Sequence, residues 1–214
     1  MMRDENKAAR KDRIEAAALE LLAQKGYLAT SMLSVAKRAR ASNETLYNWY
    51  GNKQGLFRSL VEANAGEVKA LLENDLARER PPEATLKALG PLLLGLLVSD
   101  KAIALNRAAA ADPSGELARE LTQAGRDTVA PLIADVFVKA REAGILSFDD
   151  AADAVGLYLD LLVGDLQIRR VLGAVPAMKQ QEIDRLAVTA LDSLRILLKV
   201  GRNGGSRPAK QDRA

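Results

Sequence analysis

An all-α fold is the expectation for this 214-residue chain, and three observations carry it. Apolar residues recur at spacings of three and four along most of the sequence, the breaks between those stretches hold helix-capping residues, and nothing reads convincingly as a strand. With 48% apolar residues, the chain can bury a core large enough for one medium domain, or a small one joined to a larger one.

The elements follow in order. Ile14, Ala17, Ala18, Leu21 and Leu22 form one helical stripe that ends at Lys25-Gly26, where glycine can take the left-handed cap. Thr30 or Ser31 caps a second, short helix through about Ala39, with Val35, Ala36 and Ala39 facing inward. After Arg40-Ala41-Ser42, Ser42 caps a third helix from about Asn43 to Tyr50, anchored by Leu46. Asn52 caps a fourth, running from Lys53 through Leu56 and Leu60 to about Arg80. Two short helices joined by a tight turn, with small Ala36 letting them approach, are the ingredients of a helix-turn-helix.

The rest predicts a helical bundle. Pro81-Pro82 breaks the chain, and apolar helices follow at about 83–98 and 100–110. Asp112-Pro113 is expected to open a long segment reaching Ala143, kinked at Gly125 and Pro131 and ended by Gly144. Asp149 or Asp150 starts a helix to about Leu172, Gly173 and Pro176 punctuate, and a last helix spans about Lys179 to Val200. The count is about nine helices. Residues 201–214 are too polar and glycine-rich to fold and form a disordered basic tail.

Charge is unevenly placed. Residues 1–60 carry 11 basic and 6 acidic side chains, residues 61–200 carry 16 and 21, and residues 201–214 carry 4 and 1, within a total of +3. A basic head on an acidic body suits a protein that presents one end to a polyanion. The head also holds five of the eight aromatic residues, Tyr27, Tyr47, Trp49, Tyr50 and Phe57. Around them, Thr45-Leu-Tyr-Asn-Trp-Tyr-Gly-Asn-Lys53 offers a hydroxyl, a phenol, an indole, an amide and an ammonium, a set suited to phosphates and base edges.

Composition argues against enzyme classes. Without cysteine or histidine there is no thiolate nucleophile, no Cys-ligated zinc and no imidazole base. No Glu-x-x-His pattern or glycine-rich phosphate loop occurs, so neither a metal nor a cofactor is expected. The charged amino terminus has no apolar signal region and no apolar run has membrane-spanning length, which predicts a cytoplasmic protein with no membrane partner.

Residues 13–60 resemble the DNA-binding domain of TetR-type transcriptional regulators through Arg13-Ile14, Ala17-Ala18, Lys25-Gly26-Tyr27, Thr30-Ser31-Met32, Val35-Ala36, Ser42, Thr45-Leu46-Tyr47 and Lys53 with Leu56-Phe57. Residues 83–173, through Gly144-Ile145-Leu146, Asp149-Asp150, Gly164-Asp165 and Arg169 to Gly173, are similar to the AefR-like group of carboxy-terminal domains. The resemblance implies a DNA-binding domain at 10–70 with the helix-turn-helix at about 32–50, and a helical ligand-binding and dimerisation domain at 71–200. It implies a homodimer on near-palindromic double-stranded operator DNA, acting as a repressor released by a small, largely apolar effector. The alternative is an architectural DNA-binding protein that ignores ligands. Two departures from the family pattern stand out: Arg40 where the turn usually has glycine, and Tyr50 where the third helix usually closes with phenylalanine.

Roles follow residue by residue. Thr45, Tyr47 and Lys53 match positions that grip the sugar-phosphate backbone, and their donors suit phosphate oxygens. Asn43, Asn48 and Trp49 are expected at base edges with Leu33 and Ser34, since Asn pairs bidentately with adenine and indole touches a thymine methyl. Thr30, Ser31, Arg40 and Ser42 complete the DNA-facing set. For the dimer, apolar stripes implicate Leu157, Leu161, Leu162, Leu186, Ala190, Leu191, Leu194 and Leu198, although such stripes also serve a chain's own core. Small and branched side chains in Leu92–Val98 and Ala102–Ala111 leave room for an apolar ligand, with Asn106, Arg107, Gln123, Arg126, Tyr158 and Asp165 as candidate polar contacts. Arg107, Arg126 and Asp165 have a competing role in ion pairs.

Overall fold

The computed structural model describes residues 2–199; the expected basic tail and the last residue of the final expected helix lie outside them. The described residues form α1 (Met2–Lys25), α2 (Met32–Ala39), α3 (Asn43–Tyr50), α4 (Lys53–Ala77), α5 (Pro82–Leu97) and α6 (Asp100–Ala110). They continue with α7 (Glu116–Leu121), a π turn (Thr122–Arg126), α8 (Asp127–Glu142), α9 (Ala151–Val163), α10 (Leu166–Val171) and α11 (Gln180–Leu197). The protein is all-helical, with no strand among the described residues. None of these helices is by itself long and apolar enough to cross a membrane.

Four of the expected caps form, and Ser99 adds one that was not expected. Ser31, Ser42, Asn52, Ser99 and Asp150 each accept a backbone N–H from the first turn they precede, satisfying donors that a helix end leaves open. The excess over nine helices comes from two long segments that break. Asp112-Pro113 does not open a helix directly. The chain turns through Gly115, at φ 69°, and α7 begins at Glu116, while the Asp112 carboxylate reaches forward to accept the Leu117 N–H at 2.9 Å. Of the two irregularities expected, the one at Gly125 appears as a widened π turn, whereas Pro131 sits inside the continuous helix α8. A Cβ on Gly125 would stand 3.3 Å from Val61 Cγ1, so glycine lets this turn lie close against α4. The helix expected to run to Leu172 breaks at Gly164, whose φ of 49° and ψ of −127° leave the helical region.

Two apolar clusters make up the core and meet along α4. The amino-terminal cluster is built on Ile14, Val35, Leu46, Phe57 and Leu60, all 3% exposed or less, and recruits Leu105, Ala108 and Leu117 from α6 and α7. The larger cluster is built on Leu72, Leu86, Leu94, Phe137, Tyr158 and Leu194. Each fully buried Leu or Phe contributes about 1.5–3 kcal/mol of transfer free energy. Because α4 supplies both clusters, a shift along it is felt at both ends of the molecule.

Candidate nucleic-acid interface and ligand cavity

The helix-turn-helix is α2 and α3, held under α1. Ser31 accepts the Ser34 N–H while the Ser34 hydroxyl accepts the Ser31 N–H, a reciprocal capping box. Arg40 lies in the left-handed region at φ 51°, ψ 45°. The N–H of Ala41 reaches the Ala36 carbonyl at 2.9 Å and that of Arg40 the Lys37 carbonyl at 3.3 Å, so the turn keeps Schellman geometry with arginine where glycine would be easier. The departure noticed in the sequence therefore leaves the turn intact at a cost of about 1–2 kcal/mol. Gly55 then lets α4 pack on the end of α3, since a Cβ there would stand 2.0 Å from the Tyr50 carbonyl oxygen.

The side chains expected to face DNA divide by burial. Ser31, Leu33, Arg40, Ser42, Asn43, Tyr47 and Asn48 are exposed on the α2–α3 face, with Tyr47 at 49% and Leu33 at 51%. Thr30 is buried instead, its hydroxyl donating to the Gly26 carbonyl at 2.8 Å. Ser34 is half-buried and committed to the capping box. Thr45 and Trp49 are half-buried beneath Arg10 of α1, which donates to Thr45 Oγ1 at 3.2 Å and lies 5.8 Å from the Trp49 ring centre. Sequence reasoning missed Arg10, because nothing local links it to a helix 35 residues away. Tyr50 packs its ring on Trp49, but its buried hydroxyl has no hydrogen-bond partner among the described residues.

Lys53 departs most from its expected role. Its Nζ donates to the Tyr27 carbonyl oxygen at 2.7 Å and stands 3.9 Å from the centre of the Tyr27 ring, and that ring meets Phe57 edge-on at 5.9 Å. Burial holds its pKa below the usual lysine value. An ammonium at the first position of a helix faces the positive end of the dipole, and the carbonyl and ring face of Tyr27 offset this.

Behind this domain lies a cavity of about 460 Å³, bounded by α4 through α10. Its walls are mainly apolar, including Val61, Val68, Leu93, Leu105 and Ile133. Both segments expected to leave room for a ligand contribute, through Leu93, Leu96 and Leu97 and through Ala102, Leu105 and Asn106. Of the candidate polar contacts, Asn106 and Arg126 line it. Arg107 turns away to give its guanidinium to the carbonyls of Arg170 and Val171. Gln123 is exposed on the outside of the π turn, and Asp165 is exposed and pairs with Arg169. Tyr158 is fully buried in the larger core, its hydroxyl without a partner among the described residues. Asn64, Asp160 and Gln167 line the cavity unforeseen. Their common signal is a polar side chain on the inward face of an otherwise apolar helix, which periodicity alone scores as surface.

One polar contact joins cavity and DNA-binding domain. Glu120, 4% exposed, accepts from Arg58 Nε at 2.6 Å, Arg58 Nη2 at 2.7 Å and Gln54 Nε2 at 2.9 Å. The Arg58 hydrogen bonds hold the Glu120 carboxyl below its ordinary pKa, against the effect of burial. Gln54 and Arg58 lie in the first two turns of α4, and Glu120 immediately precedes Leu121 and Thr122 in the cavity wall.

The residues expected at a dimer interface also divide. Leu162, Ala190, Leu191 and Leu194 are buried in the chain's own core, whereas Leu157, Leu161, Leu186 and Leu198 are half-buried at its edge. Periodicity did not single out Ile168, Leu172, Val188, Ile196 and Leu197, which are 53–74% exposed.

A helix-turn-helix mounted on a larger helical body is the architecture of a transcriptional regulator, and comparison with known proteins agrees. Residues 14–60 match the bacterial regulatory proteins of the tetR family, and residues 84–194 match the AefR-like transcriptional repressor C-terminal domain. The chain belongs to the TetR family of transcriptional regulators; it is a DNA-binding regulator and not an enzyme. It is 27% identical over 177 residues, 80% of this chain and 89% of the relative, to the uncharacterized HTH-type transcriptional regulator YvkB of Bacillus subtilis strain 168. Among solved structures it is similar to a TetR transcriptional regulator from Agrobacterium tumefaciens, with 26% identity, TM-score 0.69 and 88% of this chain and 93% of that one covered. It is also similar to the flavonoid-responsive regulator FrrA, with 27% identity, TM-score 0.62 and coverage of 89% and 97%.

Proposed function

We propose that this protein is a repressor that binds a near-palindromic operator as a homodimer and leaves it when a small, largely apolar effector enters the cavity. The observation that carries this reading is the Arg58–Gln54–Glu120 contact, which ties the cavity wall to the start of the helix that follows the recognition helix. A ligand that displaces Leu121 and Thr122 moves Glu120, and with it the first turns of α4 and the α2–α3 unit packed on them. The exposed apolar side chains of α10 and α11, together with Leu157, Leu161, Leu186 and Leu198, are the surface on which a second copy packs. Similarity to a flavonoid-responsive regulator supports an organic, mainly apolar effector. Two copies then place their recognition helices about 34 Å apart, or a multiple of that, for successive major grooves.

The test is binding of the purified protein to its own upstream intergenic DNA against a scrambled duplex of equal length, at two salt concentrations. Preference for the native duplex that survives the higher salt supports a sequence-specific regulator, whereas equal binding that collapses with salt supports the architectural alternative. Within the interface, Tyr47→Phe should weaken binding similarly on both duplexes, and Asn48→Ala should change preference at one or two base pairs. Equal losses on both duplexes for both variants refute that division of roles.

A further inference from the structure

The amino-terminal turns of α1 belong neither to the core nor to the helix-turn-helix. Helix α1 begins at Met2, yet of residues 7–13 none is buried and Arg10 alone is half-buried, and the core starts at Ile14. Residues 2–13 form about 18 Å of helix ahead of that point, and they precede residue 14, where the family match begins. With 3.6 residues per turn, Lys7, Arg10 and Lys11 fall on the stripe that Ile14, Ala17, Ala18 and Leu21 continue. One stripe is therefore apolar along the body and basic where the helix runs ahead of it.

Arg10 shows which way the basic stretch faces. Its Nη2 donates to Thr45 Oγ1 at 3.2 Å, and its guanidinium lies 5.8 Å from the centre of the Trp49 ring. Both partners are on α3, so the stripe passes along the flank of the recognition helix. Exposed Lys7 lies one turn, about 4.5 Å, farther from Ile14 on the same stripe. An α-helix about 10–12 Å across fills a major groove about 12 Å wide. An element lying beside α3 therefore meets the phosphate strand that borders the groove. Charge agrees with that placement. Residues 7–13 carry four basic side chains and one acidic, and like charges three or four apart repel until counterions or phosphates answer them. Lys53, the cation expected at the backbone, is turned to Tyr27, which leaves α1 to supply positive charge at this edge.

We propose that the start of α1 is a second DNA-contacting element, with Lys7 and Arg10 on the phosphates that border the groove entered by α3. The inference rests on the operator-binding reading above and deepens it. Arg10 also holds Thr45 and Trp49 from the same position, whereas Lys7 acts on the DNA alone. Contacts of this kind carry no base information, so they add affinity on any sequence and leave preference to α3.

The test is Lys7→Gln in the full chain, measured by fluorescence anisotropy against the native upstream duplex and the scrambled duplex over a range of salt. Lys101→Gln, which removes an exposed cation from α6 in the larger domain, is the charge control. Lys7→Gln should leave Tm unchanged and weaken binding to both duplexes by the same factor. It should reduce the slope of log K against log salt by about 0.9 per protomer, while Lys101→Gln leaves that slope unchanged. A Lys7→Gln slope equal to wild type, with operator binding intact, overturns the α1 contact and leaves the operator reading standing. So does an equal fall in slope for both variants, which would report net charge and no contact. A loss confined to the native duplex also overturns it, since Lys7 would then be reading bases. If the wild-type chain binds neither duplex, the operator reading falls and the α1 contact with it.

Discussion

Replacing Lys53 by methionine separates two roles that its position at the start of α4 allows. If Lys53 grips phosphate, as its place in the family pattern implies, removing it leaves the free protein nearly as stable and takes one cation from each DNA contact surface. The contact with Tyr27 points the other way. Lys53 Nζ donates at 2.7 Å to the Tyr27 carbonyl and sits 3.9 Å from the ring centre. A hydrogen bond from a charged donor is worth about 1.5–3 kcal/mol, and an accessible cation–π contact adds about 0.5–1 kcal/mol. Half-burial and relief from the helix dipole reduce the sum, so Lys53→Met should cost about 2 kcal/mol. For a chain of this length that lowers Tm by about 4–8 °C. Methionine keeps the apolar stem over Tyr27, so the loss reports the ammonium and not packing. Thermal melts of the free protein give the first quantity, and operator affinity measured from low to moderate salt gives the second. A lysine held on Tyr27 leaves the slope of log K against log salt unchanged, whereas a phosphate contact reduces it by about 0.9 per protomer. An unchanged Tm together with that smaller slope would refute the structural role.

Tyr158→Phe removes a buried hydroxyl that lacks a partner among the described residues and should stabilise the protein by about 1 kcal/mol in urea titrations; a loss of stability would mean that the hydroxyl is satisfied in solution. A Cβ at Gly90 would stand 3.1 Å from both Tyr158 Oη and Ala187 Cβ, so Gly90→Ala should be destabilising alone and less so combined with Tyr158→Phe, with additivity counting against the contact. Glu120 has a depressed pKa in the folded protein, chiefly through its hydrogen bonds from Arg58, so its contribution to stability is fully present above the ordinary carboxyl pKa and is lost as pH falls through the folded value. Urea titrations at pH 7 and at about pH 4 should therefore show Glu120→Gln less stable than wild type at neutrality, with the gap narrowing in acid; a gap independent of pH would exclude the ionised pair as its cause. Ile196, 74% exposed on α11, should be covered in a dimer, so Ile196→Glu should shift sedimentation toward monomer at micromolar concentration while far-UV circular dichroism stays unchanged. A wild-type chain that sediments as a monomer would end the dimer proposal.

Helix types and caps were legible because each depends on residues a few positions apart. Ser31, Ser42, Asn52 and Asp150 act within one turn of themselves, and Leu46 or Leu56 is buried by a stripe that a window of eight residues reveals. The exposed face of α3 was legible for the same reason, because Asn48 lies nearly opposite the Leu46 anchor and Tyr47 lies off to its side, while Asn43 is exposed in the first turn. Breaks were harder to place. Gly164 and the π turn interrupt stretches whose apolar period continues across them, so packing against neighbouring helices chose where the backbone departed.

The sequence by itself determined the all-helical class, the helix-turn-helix and the family, all of which are written in local spacing. Tertiary structure alone decided what the polar side chains do. It gave Lys53 to Tyr27, Arg107 to the carbonyls of Arg170 and Val171, and Glu120 to Arg58, and it put Asn64, Asp160 and Gln167 on one cavity wall. A polar side chain takes its role from the partner it meets, and here those partners lie 26 to 64 residues away along the chain.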